Sequence, residues 1–161
     1  MANNDRGKQW EECFKLNFKA SFPGCFIDRV PDQTSMYKGS TNKCDFYCFT
    51  QKHFFMIECK TTAKENTFNF DKIPQIGRMI EFNEKEHITE ENIIQGIIIW
   101  FEARRKVLWC PLSECVRMIK DGKKSINSTK SISEGYKLIE VPITIKRVFP
   151  ECDLKILLYN K

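Results

Sequence analysis

Three charged residues that could act together on a phosphodiester lie in the stretch KCDFYCFTQKHFFMIECKTT, residues 43–62. Asp45 and Glu58 supply carboxylate oxygens, which are the ligands that hard divalent cations such as Mg²⁺ prefer. Lys60 supplies a compact positive charge with three hydrogen-bond donors. A cation held by the carboxylates lowers the pKa of a bound water and polarises a phosphoryl oxygen, while Lys60 orients the attacking water. The three residues therefore suit phosphodiester hydrolysis.

The same stretch predicts a β-hairpin that brings these residues together. Two apolar runs, residues 46–49 and 54–57, flank a polar triplet, which is the pattern of two strands joined by a tight turn. Asp45 lies near the start of the first strand, and Glu58 and Lys60 lie at the end of the second. Because residues two apart on a strand project from the same face, Glu58 and Lys60 should point to one side.

The acidic-x-Lys pattern is not specific by itself, because the chain contains it again at Asp121 and Asp153. Asp121 lies at a predicted helix end beside a glycine, and Asp153 lies too near the C-terminus for a helix to follow it. Glu58 lies instead on paired strands with a helix before and a helix after. From the residues alone, a solvent-facing pair of Glu58 and Lys60 on a strand end remains the alternative interpretation.

Length and composition indicate one globular domain over residues 1–161. A chain of 161 residues with 42% hydrophobic and 29% charged residues is long enough for a full core and too short for two independent domains. The net charge of +5 fits a nucleic-acid partner without requiring one. The longest apolar run, residues 93–101, is far shorter than the ~20 residues of a membrane helix, so we expect no membrane partner.

The N-terminal residues MANNDRGKQWEE lack the apolar core of a signal peptide. We therefore expect the protein to stay in the cytoplasm where it is made, either bacterial or, for a viral protein, that of the host cell. The eight cysteines are then expected to be free thiols. Because their spacing contains no CxxC motif, we interpret them as small buried side chains rather than as zinc ligands.

The remaining pattern predicts the elements that must position the hairpin. In chain order they are a helix over 5–20, a strand over 25–30, a polar loop over 31–42, the hairpin, a polar segment over 61–71, a helix over 74–86, strands over 94–101 and 106–110, a helix over 111–122, a Lys- and Ser-rich loop over 123–133, and two edge strands or a strand and a short helix within 136–159. This order indicates an α/β fold with one central mixed sheet flanked by helices.

The order of short motifs resembles the PD-(D/E)XK nuclease superfamily and, more narrowly, the RecU-type Holliday junction resolvases. The segment from Gly7 to Glu11 is similar to the family's first-helix pattern, and the segment IECKTT that contains Glu58 and Lys60 is similar to its Glu-x-Lys-x-Thr signature. Further similar segments are residues 40–47, residues 68–79 with the motif Gln75, and residues 96–112. The resemblance implies a restriction-endonuclease-like αβββαβ core.

The resemblance also implies roles for individual residues. Asp45 and Glu58 would bind Mg²⁺, with Mn²⁺ as a possible substitute, the carbonyl of Cys59 would add a ligand, and Lys60 would assist the nucleophile. The residues implied at the edge of the site are Glu11 and Gln75. The implied activity is that of an endonuclease that resolves four-way DNA junctions in recombination and repair. The two-fold symmetry of such a junction matches a homodimer.

Contacts with DNA phosphates are expected mainly from basic residues. The candidates are Arg29, Lys38, Lys43, Thr62, Lys64 and Arg78, with Arg104 and Arg105 as further basic residues. The chain departs from the family in two places: segment 31–44 is shorter than the insertion that enters the junction centre, and Pro74 stands where the family has a histidine. Selectivity for junctions therefore stays open. The alternatives are a non-catalytic DNA-binding module of the same fold and a restriction-type or other structure-specific nuclease.

Overall fold

A computed structural model of the chain describes residues 3–31, 42–86 and 91–159. The helices are α1 (Asn3–Ser21), α2 (Gln75–Glu86), α3 (Leu112–Lys120) and α4 (Lys130–Ser133). The strands are β1 (Phe26–Arg29), β2 (Phe46–Phe49), β3 (Phe54–Thr62), β4 (Thr67–Asn69), β5 (Ile93–Phe101), β6 (Lys106–Pro111), β7 (Ser125–Asn127), β8 (Ile139–Glu140), β9 (Ile143–Ile145) and β10 (Pro150–Cys152). Two 3-10 helices span Phe70–Lys72 and Leu154–Tyr159. Within the described ranges, no helix is long and apolar enough to cross a membrane.

Six strands form the central sheet, in the order β1-β2-β3-β5-β6-β8. Strand β3 runs parallel to β5, and the other neighbouring strands are antiparallel, so the sheet is mixed as predicted. When only the strands of the central sheet are counted, the predicted order of the core, a helix, three strands, a helix, two strands and a helix, is confirmed. This order places β3 and β5 side by side at the centre, where the apolar run of β5 predicts a strand covered on both faces.

Helix α1 covers one face of the sheet with a stripe of aromatic side chains. Phe14 and Phe18 are fully buried, and their rings lie 5.2 Å from those of Phe46 and Phe55, respectively. These residues share a cluster with Cys59 of β3, among others. The aromatic stripe therefore fixes α1 across β2 and β3.

Helices α2 and α3 cover the opposite face. Met79 of α2 and Met118 of α3 pack in one cluster with Met56 of β3. Because side chains alternate along a strand, Glu58 and Lys60 lie on the same side of β3 as Met56. The cysteines serve as core residues on both faces: all eight lie in the described ranges and are free thiols, and six are buried.

The segment after α3 differs from the sequence prediction. The predicted loop over 123–133 contains β7 and α4, and β7 pairs with β4, which lies within the predicted polar segment over 61–71. Strand β4 buries one apolar side chain, Phe68, and strand β7 buries one, Ile126. A three-residue strand with one buried side chain is too short to produce a recognisable period. The predicted loop over 31–42 lies largely outside the described residues.

The C-terminal region is also more divided than predicted. Strand β8 joins the edge of the central sheet, whereas β9 and β10 pair with each other in a separate ribbon that precedes a 3-10 helix. The sequence predicts either two edge strands or a strand and a short helix here, and both alternatives are wrong. Asn17 of α1 docks the ribbon, because its amide donates to the Pro150 carbonyl and accepts the Cys152 N–H, each at 3.1 Å.

Candidate active site

Residues 58–62 of β3 extend beyond its antiparallel neighbour, and the candidate site lies along this extension. Strands β2 and β3 pair only as far as Ile57, whereas β3 continues to Thr62 and is paired with β5 along its whole length. The sequence predicts Glu58 and Lys60 at the end of this strand, and the structure extends the strand by two residues, to Thr62, because its parallel partner pairs with the polar residues as well. Glu58 and Lys60 therefore lie inside a strand, along the edge that β2 leaves uncovered.

Asp45 is placed at this edge by the backbone on both sides of it. Its N–H donates to the Ile57 carbonyl at 3.1 Å, and its carbonyl accepts the Val30 N–H at 2.8 Å. Continuing the register of β2 and β3 by one residue places Asp45 opposite Glu58. The carboxylate Oδ2 of Asp45 accepts the N–H of Cys59 at 2.8 Å. The hairpin therefore brings the two carboxylates together, as the sequence predicts.

The side chain of Glu58 is fully buried. Its Oε1 accepts a hydrogen bond from Lys60 Nζ at 2.5 Å, whereas its Oε2 is buried with no hydrogen-bond partner. Burial, together with the negative charge of Asp45, raises the pKa of Glu58 to about 8. A buried polar atom without a hydrogen bond destabilises the folded state. Oε2 is therefore able to accept a hydrogen bond or to bind a cation.

Lys60 lies between this buried carboxylate and solvent. Its side chain is 22% exposed, so the ammonium reaches the surface of the site. Burial disfavours the charged form, but the charge of Glu58 and its hydrogen bond outweigh that effect and raise the pKa of Lys60. The ammonium is therefore held at the entrance by one hydrogen bond, with its other donors available to a bound molecule.

Glu11 reaches the site from helix α1. It lies three residues before Phe14 and seven before Phe18, so the three side chains share the sheet-facing stripe. Its Oε2 accepts a bond from Arg29 Nε at 2.5 Å. Burial is the main cause of the raised pKa values of Asp45 and Glu58, and the charge of Glu11 contributes to both. The structure thus brings Glu11 to the site's edge, as predicted, and places Arg29 in an ion pair with it.

Helix α2 holds the segment that leads into Asp45. Arg78 donates from Nη1 to the Asn42 carbonyl at 2.9 Å, and Lys43 Nζ lies 5.1 Å from the centre of the Phe82 ring. The helix begins at Gln75, whose side-chain Oε1 is buried without a partner. Among the described residues, no hydrogen bond joins the Gln75 side chain to the two carboxylates or the lysine. The structure therefore does not connect Gln75 to the site directly.

The other predicted DNA contacts are scattered around the site. Thr62 Oγ1 accepts the Lys64 N–H at 3.1 Å, and Lys64 is exposed. Arg104 forms an ion pair with Glu65 at 2.9 Å, and Arg105 has a φ of 49° in the turn between β5 and β6. Lys38 lies outside the described residues. Contact with DNA stays a prediction for each of these residues.

The donor set fits a hard divalent cation. In a strand the N–H and C=O of one residue point to the same side, so the Cys59 carbonyl faces the edge where Asp45 binds its N–H. The unpartnered Oε2 of Glu58 adds a second carboxylate oxygen. No three His, Cys, Asp or Glu side chains of the described residues form a metal-binding group. The cation would therefore be held by two carboxylates, a backbone carbonyl and water, as is usual for Mg²⁺.

Binding of Mg²⁺ should stabilise the folded chain. At a free Mg²⁺ concentration ten times the dissociation constant, the gain is about 1.4 kcal/mol, which raises the melting temperature by about 3–5 °C for a domain of this size. Differential scanning fluorimetry with MgCl₂ against EDTA measures the shift. The Asp45→Asn variant should show no shift, and an equal shift in that variant would place the cation elsewhere.

A polar pocket lies just beyond Thr62, at residues that the sequence does not single out as a site. It has a volume of about 260 Å³, and Lys64, Thr67, Asn69 and Lys72 contribute to its lining. The signal is present in the sequence as the polar-apolar-polar order of Thr67, Phe68 and Asn69, which is typical of a strand with one buried face. Three residues are too few for that pattern to be distinguished from a loop.

Comparison with known proteins finds similarity at the level of structure. No protein-family model matches the chain, and no curated protein matches it. Among solved structures, the chain is similar to Hjc, a Holliday junction resolvase of the archaeal hyperthermophile Archaeoglobus fulgidus. The TM-score is 0.49 and the sequence identity 15%, over 75% of this chain and 86% of that chain. At this level of similarity, the function of the chain has to be inferred from its own site.

Proposed function

We propose that the chain is a metal-dependent endonuclease that hydrolyses phosphodiester bonds in DNA. The observation that carries this proposal is the meeting of Asp45, Glu58 and Lys60 on the uncovered edge of β3. Two carboxylates share one site there, one of them has a buried oxygen without a partner, and an ammonium stands at the entrance. A purely structural ion pair needs neither the second carboxylate nor the unpartnered oxygen.

Each residue has a distinct task in this proposal. Asp45 and Glu58, with the Cys59 carbonyl, would hold Mg²⁺, or Mn²⁺ in its place. The bound cation would supply Lewis-acid activation of the phosphodiester and of water. Glu58 orients the Lys60 ammonium through its hydrogen bond, and the remaining donors of Lys60 can position the attacking water and stabilise negative charge on the phosphoryl oxygens. Glu11 forms an ion pair with Arg29, whose positive charge partly offsets the rise that burial causes in the pKa of Asp45, so the guanidinium is near enough to the site to approach a phosphate.

We further propose branched DNA as the substrate, and the four-way junction in particular. The support is the order of sequence motifs, which resembles that of Holliday junction resolvases from the first helix to about Val116. A homodimer would present two such sites to the two symmetric strands of a junction. The net charge of +5 is compatible with that partner.

A cleavage assay tests the proposal. Purified protein is incubated with a labelled synthetic four-way junction or a linear duplex that carries the sequence of one pair of arms, in MgCl₂ or in EDTA. We expect cleavage of the junction in MgCl₂ alone, as paired cuts in strands of like polarity. Cleavage that persists in EDTA would contradict the metal site. Equal cleavage of the linear duplex would contradict junction selectivity and favour a restriction-type or other nuclease.

A further inference from the structure

The polar pocket beyond Thr62 is a candidate binding site of its own. Hydroxyl, amide and ammonium groups contribute to its lining, and among the described residues that line it none is acidic. The lining side chains used in the argument below are those of Thr62, Lys64, Thr67, Asn69 and Lys72. Hydroxyl and amide groups that donate hydrogen bonds, together with two ammonium groups, are suited to an oxyanion such as a phosphate.

The fold builds this pocket from a small ribbon next to the active-site strand. Phe68 of β4 is buried against the core and pairs with Ile126 of β7, so its neighbours Thr67 and Asn69 face away from the core. The hydrogen bond from the Lys64 N–H to Thr62 turns the chain from β3 towards β4. The pocket is thus formed where β3 ends and the ribbon begins.

The pocket lies next to the candidate active site, at the end of strand β3. Thr62 lies two residues after Lys60 and therefore on the same face of β3. At a rise of about 3.3 Å per residue, the two positions are about 6.6 Å apart along the strand. Successive phosphates of a DNA strand have a comparable spacing. A strand whose scissile phosphate lies at Lys60 can therefore place a neighbouring phosphate at the pocket.

No described carboxylate neutralises the two lysines of the pocket. Lys64 and Lys72 are exposed, and neither forms an ion pair with another residue in the described ranges. The nearest carboxylate in sequence to Lys64, that of Glu65, forms an ion pair with Arg104 at 2.9 Å. Asp71, which precedes Lys72, is exposed to solvent and does not line the pocket. The ammonium groups of the two lysines are therefore available to donate hydrogen bonds to an anion.

We propose that this pocket binds a backbone phosphate of the substrate strand, next to the phosphate that is cleaved. The inference rests on the proposed nuclease function for its ligand, and it assigns Lys72, Thr67 and Asn69 to DNA binding together with Lys64 and Thr62. The pocket would act as a positioning site, because it holds the strand without contacting the reacting phosphate. Its contribution would be to binding affinity and to the choice of the bond that is cut.

A binding assay without cleavage tests the pocket. The anisotropy of a fluorescein-labelled four-way junction is measured in EDTA over a range of NaCl concentrations, with the double variant Lys64→Gln/Lys72→Gln. The control Lys19→Gln/Lys155→Gln removes the same charge from exposed positions of α1 and the C-terminal 3-10 helix. We expect the pocket variant to bind about tenfold more weakly, with a salt slope smaller by about 0.7–0.9, since one phosphate contact is lost. The control should stay within about twofold of the original protein, because nonspecific attraction alone changes.

The outcomes separate the pocket from the nuclease proposal. Equal binding by the pocket and control variants would overturn the pocket, even if the protein cleaves junctions. A clear difference between them would support it, even if no cleavage is found. No binding of DNA by the original protein would overturn both. The variant Lys64→Arg/Lys72→Arg should retain the salt slope, and its failure to do so would also count against a phosphate contact. Thermal melting of every variant confirms that each is folded.

Discussion

Replacing Asp45 with asparagine is expected to lower the rate of Mg²⁺-dependent cleavage of a four-way junction by ~10³-fold or more. Asparagine preserves the size of the side chain, and its carbonyl oxygen can still accept the N–H of Cys59, which Asp45 accepts at 2.8 Å. It lacks the negative charge that the cation requires. Single-turnover cleavage with protein in excess over labelled junction measures the effect on the chemical step.

Two further variants show whether this loss is specific. Asp28→Asn makes the same chemical change on an exposed position of β1 and should leave the cleavage rate within about twofold. Lys60→Gln, which keeps a donor for Glu58, should also lose cleavage but should retain the stabilisation by Mg²⁺, because the lysine is not a ligand. A rate for Asp45→Asn within tenfold of the original would show that the active site lies elsewhere.

The folding of the Asp45→Asn variant can be checked in EDTA. The charge of Asp45 contributes, after burial, to the raised pKa of Glu58, which shows that the two carboxylates repel each other. Removing that charge should therefore leave the melting temperature equal to or above that of the original protein. A loss of activity with unchanged or increased stability would identify a functional role that is maintained at the expense of stability.

Replacing Gly96 with alanine should cause the largest loss of stability. Gly96 lies in β5, and a Cβ added there would lie 2.4 Å from the Cys110 carbonyl oxygen and 2.7 Å from the Trp109 ring. Both atoms belong to the paired strand β6, so neither can move without disturbing the sheet. We expect a loss of about 3 kcal/mol, which lowers the melting temperature by about 6–12 °C. Thermal unfolding followed by circular dichroism measures it.

The matched control for Gly96→Ala is Gly77→Ala. Gly77 lies in α2, and a Cβ added there would meet nothing within 4 Å. Since alanine is the better helix former, this variant should gain up to about 1 kcal/mol. If Gly96→Ala melted at the temperature of the original protein, β5 and β6 would have to be further apart at this point than the structure shows.

The hairpin could be predicted because everything that forms it is local. Its apolar runs and the polar triplet between them set the register, and the register alone brings Asp45 next to Glu58. The helices α1 and α2 are equally local, since their apolar residues recur at helical spacing. The site role of Glu11 is implied only by the family resemblance of the first helix, and the structure places Glu11 on the stripe that Phe14 and Phe18 define. These features carry most of the candidate site.

The features that escaped prediction depend on partners distant in the chain. The extension of β3 to Thr62 consists largely of polar residues, and it is a strand because β5 pairs with it from more than thirty positions further along. The short strand β4 exists because β7 pairs with it. Arg29 is expected from the sequence to contact DNA phosphates, and its pairing with Glu11 requires that α1 lie next to β1. The local sequence pattern contains no information on these contacts between residues distant in the chain.

The uncovered edge of β3 also bears on how the protein avoids self-association. A strand edge without a neighbouring strand is a template on which another chain can add a strand, and natural proteins protect such edges with charged groups. Here the Cys59 N–H already donates to the Asp45 carboxylate. An added strand could therefore not accept that hydrogen bond, and the negative charge of Asp45 would repel its carbonyl oxygens. The residue that we assign to metal binding would thus also keep the sheet from growing, and apolar substitutions at Asp45 should promote aggregation as well as inactivity.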